Sequence, residues 1–164
     1  SSDVCSSDPD YVLVNALKST FIRHALPDIS TELAAWVDFG YCHSMETLNG
    51  ISKWEYDFDP TKIHLFSIKD YLPGTYISDI IFNNVVYMTG GVIVAGKAQW
   101  AKMEGLVNHS LNELLKNNLI DDDQTLWLMA SLKKPEMFNL NIIPDHQLGH
   151  DSFVLFNNFN DTVK

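Results

Sequence analysis

Near the start of the chain, apolar residues recur with helical spacing. In DYVLVNALKSTFIRHAL, residues 10–26, Val14, Leu17, Phe21, Ile22 and Ala25 follow one another at intervals of three, four, one and three, and Pro27 ends the run. That spacing predicts one helix with these residues on its buried face. The pattern then changes. LAAWV, residues 33–37, is apolar without alternation and meets Asp38 and then Gly40, which predicts a buried strand ending at Asp38. KIHLFSI, 62–68, predicts a second strand. NNVVYMTGGVIVAG, 83–96, holds two β-rich runs interrupted by Gly90 and Gly91, and predicts a pair of strands or one sharply bent strand.

Helical spacing returns in KAQWAKMEGLVNHSLNELLKNN, 97–118. Here Trp100, Met103, Leu106 or Val107, Leu111, Leu114 and Leu115 share one side and Asn117-Asn118 closes the run. A further helix is expected over Asp121 to Leu132, stopped by Lys133-Lys134-Pro135. MFNLNII, 137–143, alternates as a strand does, and SFVLF, 152–156, is a candidate for one more. Helices and strands alternate without internal repeat, low-complexity tract or linker. The expectation is one α/β domain over residues 9–164 with a mixed sheet flanked by helices.

Composition narrows the function classes. The chain has 164 residues, 46% of them hydrophobic and 12% aromatic, which fits a globular domain with a real core and excludes disorder. Twenty-one acids face 11 Lys and Arg, a net charge of −10. With no basic cluster, neither a nucleic-acid backbone nor an anionic membrane is an expected partner. No apolar run approaches the roughly 20 residues that span a bilayer, so no integral membrane segment is expected. The N-terminus lacks the layout of a signal peptide, and the chain reads as cytoplasmic. The octapeptide SSDVCSSD, residues 1–8, reverse-translates without mismatch into a common short-read sequencing adaptor, although that adaptor would continue into Leu where Pro9 stands. It is set apart as a non-native tail, and the chain is expected to be an N-terminally truncated fragment. Setting Cys5 aside leaves Cys42, so neither a disulfide framework nor a cysteine-rich zinc pattern is present.

Several residues could carry chemistry. Asp38 stands where a strand ends, the place where ligands sit in open α/β sheets and where a rigid strand can aim a carboxylate; it is equally a turn-former ahead of Gly40. Gly90-Gly91 lets a sugar or phosphate approach the backbone, or forms an ordinary bulge. The triplet Asp121-Asp122-Asp123 opens a helix: one or two acids suffice to cap it, and a further carboxylate is free to serve as ligand or general base. His146 and His150, among Asp145 and Asp151, could complete a divalent-metal site or be surface-loop histidines. Asn15 and Lys18, three apart, share a helix face that looks into a cleft or into solvent.

Taken in order, these pieces resemble the HtrL/YibB family of bacterial proteins, a glycosyltransferase-like group related to a lipooligosaccharide galactosyltransferase. The family's Trp-x-Asp-Phe-Gly run is matched by Trp36, Asp38, Phe39 and Gly40, and its Gly-Gly-x-x-x-x-Gly run by Gly90, Gly91 and Gly96. Its Asp-Asp-Gln element is matched by Asp122, Asp123 and Gln124, and its Asn-x-x-Lys helix by Asn15 and Lys18. The resemblance runs from about residue 10 to about 143.

It implies a glycosyltransferase A-type, Rossmann-like fold, here lacking its first strand, and transfer of a sugar from a nucleotide sugar, a UDP-sugar foremost, to a surface-glycan or lipid-linked glycan acceptor. By the same analogy Asn15, Lys18, Asp38, Gly90 and Gly91 bind the donor, and Asp38 holds Mn²⁺ or Mg²⁺ against the diphosphate. Asp122 or Asp123 serves the acceptor hydroxyl, while Asp121 caps the helix. Only one acid stands in AWVDFGY, where metal-dependent transferases carry an Asp-x-Asp pair, so His146 or His150 is the expected second ligand. A lipid-linked acceptor would place the protein peripherally at the inner membrane.

Overall fold

A computed structural model describes residues 9–39 and 57–143. The tail 1–8, Gly40, His146, His150 and the strand candidate 152–156 lie outside them. Four strands, β1 (Leu33–Val37), β2 (Ile63–Ser67), β3 (Val92–Gly96) and β4 (Phe138–Ile142), form one sheet in the order β1-β3-β2-β4. Pairing is antiparallel for β1 with β3 and for β2 with β3, and parallel for β2 with β4, so β3 alone runs against the other three. The architecture is the expected mixed α/β. Two of the strand ranges shift by a residue at each end. The region 83–96 is corrected: it holds the single strand β3, preceded by an isolated bridge between Ser67 and Met88.

Every residue of β2 and β3 is buried, which explains why β3 reads as an unbroken apolar run, while β2 also buries His64 and Ser67. On one face Ala34, Ile63, Leu65, Ile93 and Ala95 join the main core. On the other, Phe66, Val92 and Val94 pack with Phe58 and Ile143. The helices are α1 (Pro9–Ala16), α2 (Lys18–Ala25), α3 (Ile77–Phe82), α4 (Lys97–Lys116) and α5 (Asp123–Lys133). Trp100 and Met103 of α4 and Leu126, Trp127 and Ala130 of α5 build the main core against the first face. Trp100 is fully buried and its indole N–H donates to Ala34 O at 3.1 Å, pinning α4 to β1. The expected inner side of α4 holds for Trp100, Met103, Val107 and Leu114, with Leu115 turned outward.

The helix expected over 10–26 departs in two ways. It is interrupted at Leu17, whose N–H lies 3.2 Å from both Leu13 O and Val14 O, so α1 and α2 meet at one irregular residue. Its inward face is also different: Val14 and Phe21 are exposed, while Val12, Asn15, Ala16, Lys18, Ser19 and Ile22 are buried. The short helix α3 was not expected.

Candidate functional site

Strand pairing brings the site's parts to one end of the sheet. Val37 pairs with Val92 at the end of the β1/β3 ladder, and one residue further Asp38 N–H donates to Gly91 O at 2.9 Å. The carboxyl end of β1 and the entry to β3 are thereby held side by side, with Asp38 and Gly90-Gly91 at the rim. Lys18 is the first residue of α2 and Asp123 the first of α5. The Lys18 ammonium is the point where these four segments meet. It contacts Asp123 Oδ2 at 2.7 Å, Gly90 O at 3.0 Å, and Asp38 through Oδ1 at 2.9 Å and Oδ2 at 3.0 Å.

The surroundings decide what each group can do. Lys18 and Asp123 are 4% and 3% exposed, whereas the Asp38 side chain is 36% exposed. Asp38 is therefore the member that presents a carboxylate to solvent. Trp36, two residues earlier and so on the same side of β1, donates its indole N–H to Asp38 Oδ1 at 2.6 Å. The Trp36 and Trp127 rings lie 6.0 and 5.5 Å from the Lys18 ammonium, and Phe21 stacks on Trp36. These rings keep water from the buried charges while their π faces favour a cation. A Cβ placed on Gly90 would come within 3.4 and 3.5 Å of the two Asp123 oxygens and 3.2 Å of Gln124 Nε2. The absent side chain at 90 lets the backbone approach that buried carboxylate closely.

Burial pushes the Asp123 carboxyl up to about 7, against the opposing pull of Lys18 and with Asp122 adding to the rise. Asp122 is also raised, first by burial and then by its neighbour Asp121. The division of labour in the triplet is corrected by the geometry: Asp122, not Asp121, is the N-cap of α5, accepting from Gln124 N at 3.1 Å. Asp121 accepts the Thr125 hydroxyl at 2.6 Å. Asp122 is thus occupied with capping, and Asp123 is the acid left to face the cluster.

Of the residues singled out from sequence, Lys18, Asp38, Gly90 and Asp123 converge, and Gly91 supports them through its carbonyl. Asn15 is buried beside them in the chain, with its amide donating to Tyr11 O at 2.9 Å inside its own helix. Sequence reasoning missed the roles of Trp36 as hydrogen-bond donor and of Trp127 as a wall; the two-residue offset between Trp36 and Asp38 was the available signal. Both oxygens of Asp38 already receive N–H groups, and among the described residues no three His, Cys, Asp or Glu side chains gather as metal ligands.

A family profile described as "Bacterial protein of unknown function (HtrL_YibB)" matches residues 3–159, a span that begins inside the octapeptide set apart above. "Protein HtrL" of Escherichia coli (strain K12) is 41% identical over 140 residues, covering 82% of this chain and 49% of that protein. The chain thus spans about half the length of the curated relative it matches. No solved structure matches it significantly. With a profile reaching across most of the chain and a relative of this similarity, the chain belongs to the HtrL/YibB family of bacterial proteins.

Proposed function

We propose that this chain carries the donor-binding and base groups of a glycosyltransferase, moving a sugar from a UDP-sugar to a surface-glycan or lipid-linked glycan acceptor. The observation that carries the reading is the meeting of Lys18, Asp38, Gly90 and Asp123 from four separate segments at the carboxyl end of β1. These are among the residues on which the glycosyltransferase resemblance rested. Asp38, rigidly held and half exposed, accepts hydroxyl groups of the donor. In the transfer step the acceptor oxygen bonds to the anomeric carbon, the bond from that carbon to the diphosphate oxygen breaks, and the nucleoside diphosphate departs with the electron pair. Asp123 takes the acceptor's proton on the side where Gly90 carries no side chain, and a carboxyl near neutral pKa is suited to that exchange. Lys18 orients both acids and offsets their charge.

A second reading has its own support. Lys18 and Asp123 are almost fully buried and bonded to one another, which is also how a structural ion pair behaves, leaving Asp38 as part of a non-catalytic nucleotide- or carbohydrate-binding module. Sugar transfer separates the two. In a screen of UDP-sugars against glycan acceptors, the transferase reading expects turnover that Asp123→Asn lowers by about 10²-fold or more, the scale of a lost general base, with UDP affinity retained. Binding of UDP without transfer to any acceptor would favour the binding module.

A further inference from the structure

The Lys18 ammonium has the surroundings of a bound cation. Three oxygen-bearing groups, the Asp38 and Asp123 carboxylates and the Gly90 carbonyl, converge on it at 2.7–3.0 Å, and two indole rings flank it. Hard divalent cations seek the same set, carboxylate and carbonyl oxygens from several segments. Asp38, the acid that would have to reach the metal, has one oxygen shared between Lys18 and the Trp36 indole and the other taken by Lys18. A divalent ion at Asp38 would lie within a few ångströms of a buried ammonium, whose repulsion is poorly screened where solvent is excluded. The single acid in AWVDFGY agrees with this: a site whose cation is covalently part of the chain has no use for a second metal-binding carboxylate beside the first.

We propose that Lys18 is the permanent cation of this site, occupying the position that a divalent metal would take between Asp38 and Asp123, so that the donor is bound without Mn²⁺ or Mg²⁺. The proposal rests on the reading of this cluster as the donor site. It makes Lys18 a positioning residue: it fixes the Asp38 carboxylate and holds Asp123 beneath Gly90.

The test is titration of Mn²⁺ into the wild-type chain, followed by electron paramagnetic resonance and by thermal melting, alongside Asp38→Asn and Lys18→Ala. Wild type is expected to show no saturable Mn²⁺ binding that depends on Asp38, and its melting temperature and UDP affinity are expected to be the same, within about twofold for affinity, in Mn²⁺ and in chelator. Mn²⁺ binding that persists unchanged in Asp38→Asn leaves Asp38 outside the coordination sphere and agrees with the proposal. Saturable binding to wild type that Asp38→Asn removes overturns it. Lys18→Ala vacates the oxygen cage and is expected to melt several degrees lower and to regain part of that loss in Mn²⁺; a folded variant indifferent to Mn²⁺ overturns the equivalence of ammonium and metal. Should that variant not fold, the wild-type titration still decides. The Mn²⁺ arm needs no nucleotide, so failure to bind UDP refutes the transferase reading while leaving this result legible, and UDP binding that requires Mn²⁺ refutes the permanent cation while sparing the transferase.

Discussion

Asp123 combines three demands that rarely coincide on one side chain. It begins α5, where the helix dipole favours a negative charge; it pairs with Lys18; and it is buried deeply enough that its carboxyl stands near 7 rather than at 3.8. A carboxyl whose pKa is higher folded than unfolded holds its proton more tightly in the folded chain. Its contribution therefore favours folding at acid pH and is lost progressively as pH rises from about 4 to about 7. The groups that face it, Lys18, Asp122 and Asp38, remain in Asp123→Asn. The melting temperature of wild type relative to that variant should accordingly decline between pH 4 and pH 7, and a constant difference would contradict the raised pKa. Gly90 tests the space above the same carboxylate. A methyl group there would press first on the Gln124 amide, the end of a flexible side chain, so Gly90→Ala should melt within a few degrees of wild type. It would also cover the Asp123 oxygens, and sugar transfer should fall at least tenfold; transfer at the wild-type rate would place the acceptor elsewhere.

At the scale of elements, the third glycine of the Gly-Gly-x-x-x-x-Gly run acts through packing rather than chemistry. Gly96 ends β3 and precedes α4, and a Cβ there would collide with the Pro60 carbonyl, a backbone group that cannot swing aside. Gly96→Ala should cost about 1–3 kcal/mol, the usual penalty for overpacking a core, measurable by denaturant unfolding. No change would mean that the turn at Pro60 yields freely. The same level shows what could be read in advance. Strand β3 was legible because burial on both sides leaves no polar position to break its run, and β2 because Ile63, Leu65 and Phe66 keep it apolar around the buried His64 and Ser67. Helix α4 was legible because its apolar stripe does face the core. The α1/α2 segment misled for the opposite reason: its inward face carries the polar residues Asn15, Lys18 and Ser19, of which Lys18 forms the centre of the cluster, so its largest apolar residues, Phe21 among them, lie outside the stripe that is buried. In the triplet, sequence could count the acids but not assign them, since capping by Asp121 or by Asp122 differs only by where the helix begins. The six-residue α3 is too short to impose a periodicity.

For the molecule as a whole, the candidate site joins β1, α2, α5 and the approach to β3, elements drawn from both described segments, so it exists only in the folded chain. Its residues were recognisable singly, as motif matches; their meeting around one ammonium was not, because contacts between positions as distant as Lys18 and Asp123 leave no periodic trace. Among the described residues no helix is long and apolar enough to cross a membrane. The chain covers 49% of the length of its Escherichia coli relative, and under the proposed reading this portion would carry the donor carboxylate and the base. The most direct test is calorimetric titration of UDP into wild type and Asp38→Asn in the presence of chelator, with both shown to be folded by their melting curves. The account predicts saturable binding to wild type and at least tenfold weaker binding to Asp38→Asn, a substitution that keeps the shape of the side chain and removes its charge. Equal affinity in the two, or a folded wild-type chain that does not bind UDP, would contradict it.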